Sequence, residues 1–121
     1  MPNTSSSKPG ILDGVRVLDF TAMMSGPYAT RLMADLGAEV IKIEPPEGDH
    51  IRSRPPQREG HSTYFAQLNC GKKSLALDLK KSAAVALVRQ LVATADVVVE
   101  NYRPGVMQRL GLDYATLSAL N

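Results

Sequence analysis

A strand-like run, a helix-like run and a second strand-like run follow one another within residues 15–44, and the same order returns within residues 74–100. Val15–Phe20 is β-branched and apolar behind a turn signal at Asp13-Gly14, which predicts a strand. Ser25-Gly26-Pro27 opens a helix: Ser or Gly can cap it, and Pro27 suits the first helical position, where its missing N–H would be unpaired anyway. Ala29, Leu32, Met33 and Leu36 fall at helical spacing on one face. Gly37 stops the helix as a left-handed C-terminal residue. Glu39–Glu44 alternates as a second strand, and Pro45-Pro46 ends it because proline cannot donate to a ladder.

The second round begins at Ser74–Leu79, a third strand. Ser82–Thr94 reads as a helix whose interior is apolar except for Arg89 and Gln90, which predicts broad packing against a sheet. Asp96–Glu100 is a short continuous apolar run of the kind buried in parallel sheets. Pro104–Leu110 and Tyr114–Leu120 read as short helices. Between the rounds, Glu47–Ser62 is irregular, broken by Gly48, Pro55, Pro56 and Gly60 and rich in arginine (Arg52, Arg54, Arg58). A loop of that length is usually functional or mobile. This alternation predicts an α/β fold, an open and mostly parallel sheet with helices on both faces. Ligands of such sheets sit at the carboxyl ends of strands. Three segments fall there: Thr21–Pro27, Glu44–Arg54 and Asn101–Gly105.

The 121 residues predict one domain over 11–121 behind a polar, disordered tail at 1–10 (MPNTSSSKPG). That tail lacks the apolar centre of a secretory signal. The longest apolar run, Ala83–Val88, falls far short of the roughly 18 residues that span a membrane. The single cysteine, Cys70, excludes an internal disulfide and fits a reducing, cytoplasmic setting. A net charge of +2 with four Tyr, two Phe and no Trp argues against a nucleic-acid partner.

Chemistry must come from the strand ends. The first turn, TAMMSGPYAT, can offer backbone N–H groups to an anion, but on local pattern alone a plain helix start explains it better. It lacks the G-x-G-x-x-G fingerprint, so Glu44 is a weak candidate for a ribose-binding acid. Lys72, Lys73, Lys80, Lys81, Arg103 and Arg109 come from separate segments bordering the sheet and together suit a polyphosphate ligand. Taken singly, each reads as a solvated charge. Asn101-Tyr102-Arg103-Pro104-Gly105 offers hydrogen bonds and a stacking ring, or is simply a tight turn before a helix. Cys70 has no neighbouring histidine and reads as structural. His50 and His61 have no ligand spacing for zinc. Asp19, Asp35, Asp78, Asp96 and Glu100 form no evident acid–base pair.

Several blocks in fixed order carry a resemblance: LDGVRVLDF, SGPYAT, LMADLGAEVIKIE, NCGKKSLALDLK and ADVVVENYRPGVMQRLG. The chain from Ile11 to Asn121 closely resembles the N-terminal part of the class III CoA-transferases (CaiB/BaiF), which include carnitine CoA-transferase, formyl-CoA transferase and the α-methylacyl-CoA racemases. The resemblance implies a Rossmann-like domain that binds coenzyme A as acyl-CoA, carboxylic acid co-substrates, and an interlocked homodimer. Carried over by position, Met24 and Ser25 would meet the cofactor in the first loop. Leu77 to Lys80 would border the adenosine, with Lys80 near phosphate. Asn101, Tyr102 and Arg103 would line purine and ribose, Arg109 would meet phosphate, and Arg52 matches a loop arginine.

Two departures and one absence qualify that transfer. Pro45 stands where some members place an arginine against the CoA phosphates, a contact that Arg52 or Arg54 would have to supply. Ala22, Met23 and Met24 replace polar residues of formyl-CoA transferase, which favours a larger, more apolar acyl group over oxalate or formate. The family's transferases use a nucleophilic aspartate and its racemases a His–Asp pair. Both fall beyond the position matching Asn121, where the sequence ends and the fold stays incomplete relative to the family. The expectation is an N-terminal CoA-binding fragment without the catalytic residue. The alternatives are a racemase-like fragment or a non-catalytic CoA- or nucleotide-binding remnant.

Overall fold

The computed structural model describes residues 9–121. Of the tail expected over 1–10, residues 1–8 lie outside the described residues. Gly10 packs against the chain: a Cβ there would lie 2.2 Å from Leu36 O.

Four parallel strands form one sheet. In chain order they are β1 (Arg16–Asp19), β2 (Glu39–Glu44), β5 (Lys73–Ala76) and β6 (Val97–Val99). Helix α1 (Ser25–Asp35) joins the first two, and α3 (Ser82–Val92) joins the last two. Between β2 and β5 lie a 3-10 turn at His50–Ser53, a hairpin of β3 (Gln57–Arg58) and β4 (His61–Ser62), and helix α2 (Thr63–Asn69). Helices α4 (Val106–Leu110) and α5 (Tyr114–Ser118) close the chain. The sheet order is β5-β2-β1-β6. Counting its four strands along the chain, that order is 3-2-1-4, the arrangement of a Rossmann-like doubly wound sheet, with the reversal between β1 and β6.

Strand alternation divides the core in two. Leu18, Phe20 and Ile43 face α3, α4 and α5 through Val88, Val92, Met107 and Leu117. Val17 and Val40 cluster with Ala38 and face α1 through Met33 and Ala34. The central strand β1 is therefore buried on both faces, with Val17 and Leu18 fully covered.

Several expectations need correction. The long segment at Glu47–Ser62 is not formless: it holds the 3-10 turn and the hairpin. Helix α2 is an additional element, and Ser62 caps it by accepting from Phe65 N–H at 3.1 Å. Helix α1 buries Pro27 and Thr30, whereas Leu32 and Leu36 of the expected apolar face are exposed. Ser25 is its first residue, Met24 stands at the cap position, and no side chain caps it. Helix α3 buries a narrow stripe, Val88 and Val92, rather than a broad face. Strand β6 is an edge strand and only half-buried. Gly37 behaves as expected, with φ of 107° just after α1.

Candidate functional site

Charged side chains at the carboxyl ends of β1 and β2 are buried, and each has its partners. Asp19 closes β1 fully buried. It accepts from Thr21 N–H at 2.9 Å, Thr21 Oγ1 at 2.5 Å, Thr30 Oγ1 at 2.7 Å and Lys72 Nζ at 2.9 Å. Lys72 also donates to Pro27 O and Asn69 Oδ1, each at 2.9 Å. One buried pair thus fastens the first loop, the start of α1 and the end of α2 together. Burial pushes the Lys72 ammonium down from its ordinary value, and the hydrogen bond and charge of Asp19 work against that shift.

Glu44 closes β2 in the same way. Burial pushes its carboxyl up, but hydrogen bonds from Arg52, Asp49 N–H and Ser74 outweigh that and hold it at about 2. Arg52 forks onto it at 2.8 and 2.5 Å while lying 3.9 Å over the Phe65 ring. Lys42 donates to Thr21 O at 2.7 Å and lies 3.1 Å from Asp49 Oδ2. The turn after β2 is thereby held to the turn after β1.

A third loop joins them. Asn101, just after β6, accepts from Ala22 N–H at 3.0 Å and donates to Ala22 O at 2.8 Å. Its amide spans the sheet reversal as a strand-like pair of bonds. Above these three strand ends, and bounded by the turn after β5, opens a cavity of about 580 Å³. Phe20, Ile43, Leu77, Leu79, Tyr102, Val106 and Leu110 give it apolar walls. Thr21, Lys42, Glu44, Asp49, Asp78 and Lys80 add polar points. An apolar cleft with a few convergent polar groups at a strand-order reversal has the form of a small-molecule site. Burial, with the charges of Asp19, Glu100 and Asp49, pushes the Tyr102 hydroxyl up, which keeps it neutral.

The structure brings three of the sequence-derived candidates, Leu77, Lys80 and Tyr102, into that wall. Met24, Ser25, Arg52, Asn101, Arg103 and Arg109 lie outside it. Met24 and Ser25 follow the lining residues Thr21 and Ala22 on an exposed turn. Arg52 turns its guanidinium onto Glu44. Asn101 spends its amide on Ala22. Arg103 is exposed just past Tyr102. Arg109 folds back so that its Nη1 lies 3.1 Å from where a Cβ on Gly105 would stand. The missing Cβ at Gly105 leaves room for the Arg109 side chain, and its φ of 83° forms the left-handed start of α4.

Two members of the basic set are turned onto protein carboxylates and do not line the cleft, Lys72 buried and Lys73 exposed. Lys72 is buried on Asp19, and Lys73 pairs with Glu39 at 2.5 Å. Asp19, Asp49 and Glu44 are held in internal ion pairs with Lys72, Lys42 and Arg52. Glu44 is consumed by the protein and offers no free ribose acceptor.

A family model, CoA-transferase family III, matches residues 12–121. The chain belongs to this family. The class III likeness runs through curated relatives. Acetyl-CoA:oxalate CoA-transferase of Acetobacter aceti is 45% identical over 123 residues, which cover 100% of this chain and 32% of that protein. Succinyl-CoA:glutarate CoA-transferase of Mus musculus is 47% identical over 117 residues, covering 95% of this chain and 26% of its own length. Among solved structures, a CAIB/BAIF family protein from Brucella suis superposes with a TM-score of 0.88 at 41% identity, over 94% of this chain and 32% of that one. A short chain dehydrogenase/reductase family protein superposes with a TM-score of 0.50 at 20% identity, a likeness of fold alone. The chain thus spans about a third or less of the length of these class III relatives.

Proposed function

We propose that this segment supplies the coenzyme A-binding part of a class III CoA-transferase, an enzyme that moves CoA between carboxylic acids. The observation that carries the reading is the apolar cleft at the sheet reversal, with Leu77, Lys80 and Tyr102 in its wall. Its apolar sides suit a purine ring and a pantetheine arm. Phosphates, which need charge-assisted donors, would lie at the rim toward Lys80, Arg103 and Arg109.

The chemistry of the whole enzyme belongs to residues outside these 121. In the proposed reaction a carboxylate attacks the acyl thioester carbon and expels CoA as thiolate. The resulting acyl-aspartyl anhydride is then attacked by that thiolate, giving aspartyl-CoA and the free acid. The acceptor acid reverses both steps. Asp19 and Asp49 are both buried in internal ion pairs, which leaves neither as the nucleophile of this reading. The relatives' names span oxalate and glutarate. For this chain, the apolar Ala22-Met23-Met24 turn favours a larger acyl group.

Calorimetric titration of the folded chain with CoA, adenosine and inorganic pyrophosphate tests the reading. CoA binding that weakens as salt rises and falls several-fold in Arg109→Ala supports it. A folded chain that binds none of the three would sink it.

A further inference from the structure

The cavity floor holds a charge pair that the protein uses only in part. Lys42 enters it from β2 and Asp49 from the turn beyond, and they are 2% and 5% exposed. Lys42 Nζ donates to Thr21 O at 2.7 Å and to no other acceptor among the described residues. Asp49 Oδ1 accepts from Ile51 N–H at 3.1 Å. Asp49 Oδ2 accepts from nothing among them. Lys42 Nζ lies 3.1 Å from that oxygen, close enough to attract but out of line for a hydrogen bond.

An ammonium carries three donors, and a carboxylate oxygen has room for two. A buried donor and a buried acceptor are therefore left side by side in the cavity wall. Buried polar groups without partners are rare and call for a specific explanation. A phosphate does not supply one, because Asp49 repels it and already balances the charge of Lys42. The walls above the pair are apolar, among them Phe20, Leu79 and Tyr102.

We propose that the Lys42–Asp49 pair recognises a neutral ligand group that presents a hydrogen-bond acceptor beside an N–H donor. Lys42 Nζ donates to the acceptor, and Asp49 Oδ2 accepts from the N–H. This rests on the CoA reading and deepens it, since the amino-substituted edge of the CoA adenine presents an acceptor ring nitrogen beside an N–H donor.

The test compares the full chain with Asp49→Asn, which turns one acceptor into a donor, and Lys42→Met, which keeps the bulk and removes the donors. CoA, adenosine and pantetheine are titrated into each by calorimetry, after circular dichroism shows that the variant is folded. The expected result is a loss of CoA affinity of about 10-fold or more in both variants. A parallel loss for adenosine places the adenine edge at the pair, and a loss for pantetheine with adenosine unchanged overturns that assignment. Folded variants that bind CoA within about 2-fold of the parent overturn the inference and leave the CoA reading standing. A parent chain that binds none of the three overturns both. Where the variants do not fold, the carboxyl carbon resonance of Asp49 in the 13C-labelled parent decides. Movement on addition of CoA supports the assignment, and a resonance that stays fixed at saturation overturns it.

Discussion

Asn101 ties two loops together with one side chain. It stands in an exposed loop, yet its amide makes both bonds to the Ala22 backbone and joins the two loops that flank the sheet reversal. Asn101→Ala is expected to cost about 1–2 kcal/mol of stability, two modest net hydrogen bonds, and to weaken CoA binding by loosening the first loop. Urea denaturation and calorimetry read the two effects. Unchanged values for both would leave the clamp without a role. Glu44 makes a second residue-scale prediction. Its carboxyl titrates near 2 in the folded chain against an ordinary 4.5. Because the folded value is the lower one, its stabilisation is complete above about pH 4.5 and is lost as the pH falls toward 2. The amount is on the order of 3 kcal/mol. Urea midpoints measured from pH 6 to pH 3 are expected to fall more steeply for the parent than for Glu44→Gln. Parallel curves would contradict that assignment.

At the scale of elements, the seating of α1 on the β1 turn is the most exposed to test. A Cβ on Gly26 would lie 2.4 Å from Thr21 Cβ, and Thr21 is pinned by Asp19. Gly26→Ala is expected to destabilise the chain by about 1–3 kcal/mol, whereas Ser25→Ala, which removes no capping bond, stays within about 0.5 kcal/mol. Equal melting temperatures for the two variants would refute the close approach. The elements themselves were largely legible in sequence. Glu39–Glu44 alternates and is stopped by two prolines, and β2 has those bounds. Gly37 ends α1 through a backbone restriction that any reader of sequence can apply, whereas Pro27, expected at the first helical position, is its third residue. Helix α2 escaped because Ser62, its one start signal, sits at the end of a segment dominated by Pro, Gly and Arg.

Depth, by contrast, is a property of the whole molecule and is not written locally. Lys72 reads as a surface lysine, and only the fold brings it to Asp19, 53 positions away. The exposed apolar side of α1 is likewise a matter of depth. Met24, Tyr28, Leu32 and Leu36 follow one another at four-residue intervals along that side and are all roughly half-exposed. Such a contiguous apolar stripe promotes association. The isolated 121-residue chain is therefore expected to self-associate at micromolar concentration, and Leu32→Lys is expected to reduce this. Sedimentation velocity checks both expectations, and a monodisperse parent monomer would contradict the first.

The central claim is that the cleft above β1, β2 and β6 is the CoA site. The most direct test is to titrate CoA into the 15N-labelled chain and map the amide resonances that move. Shifts concentrated at Thr21–Ala22, Leu77–Lys80 and Tyr102, which lie at the cleft, are expected. Shifts confined to the far side of the sheet edge, around Asp113–Ser118, or none at saturating CoA, would contradict it.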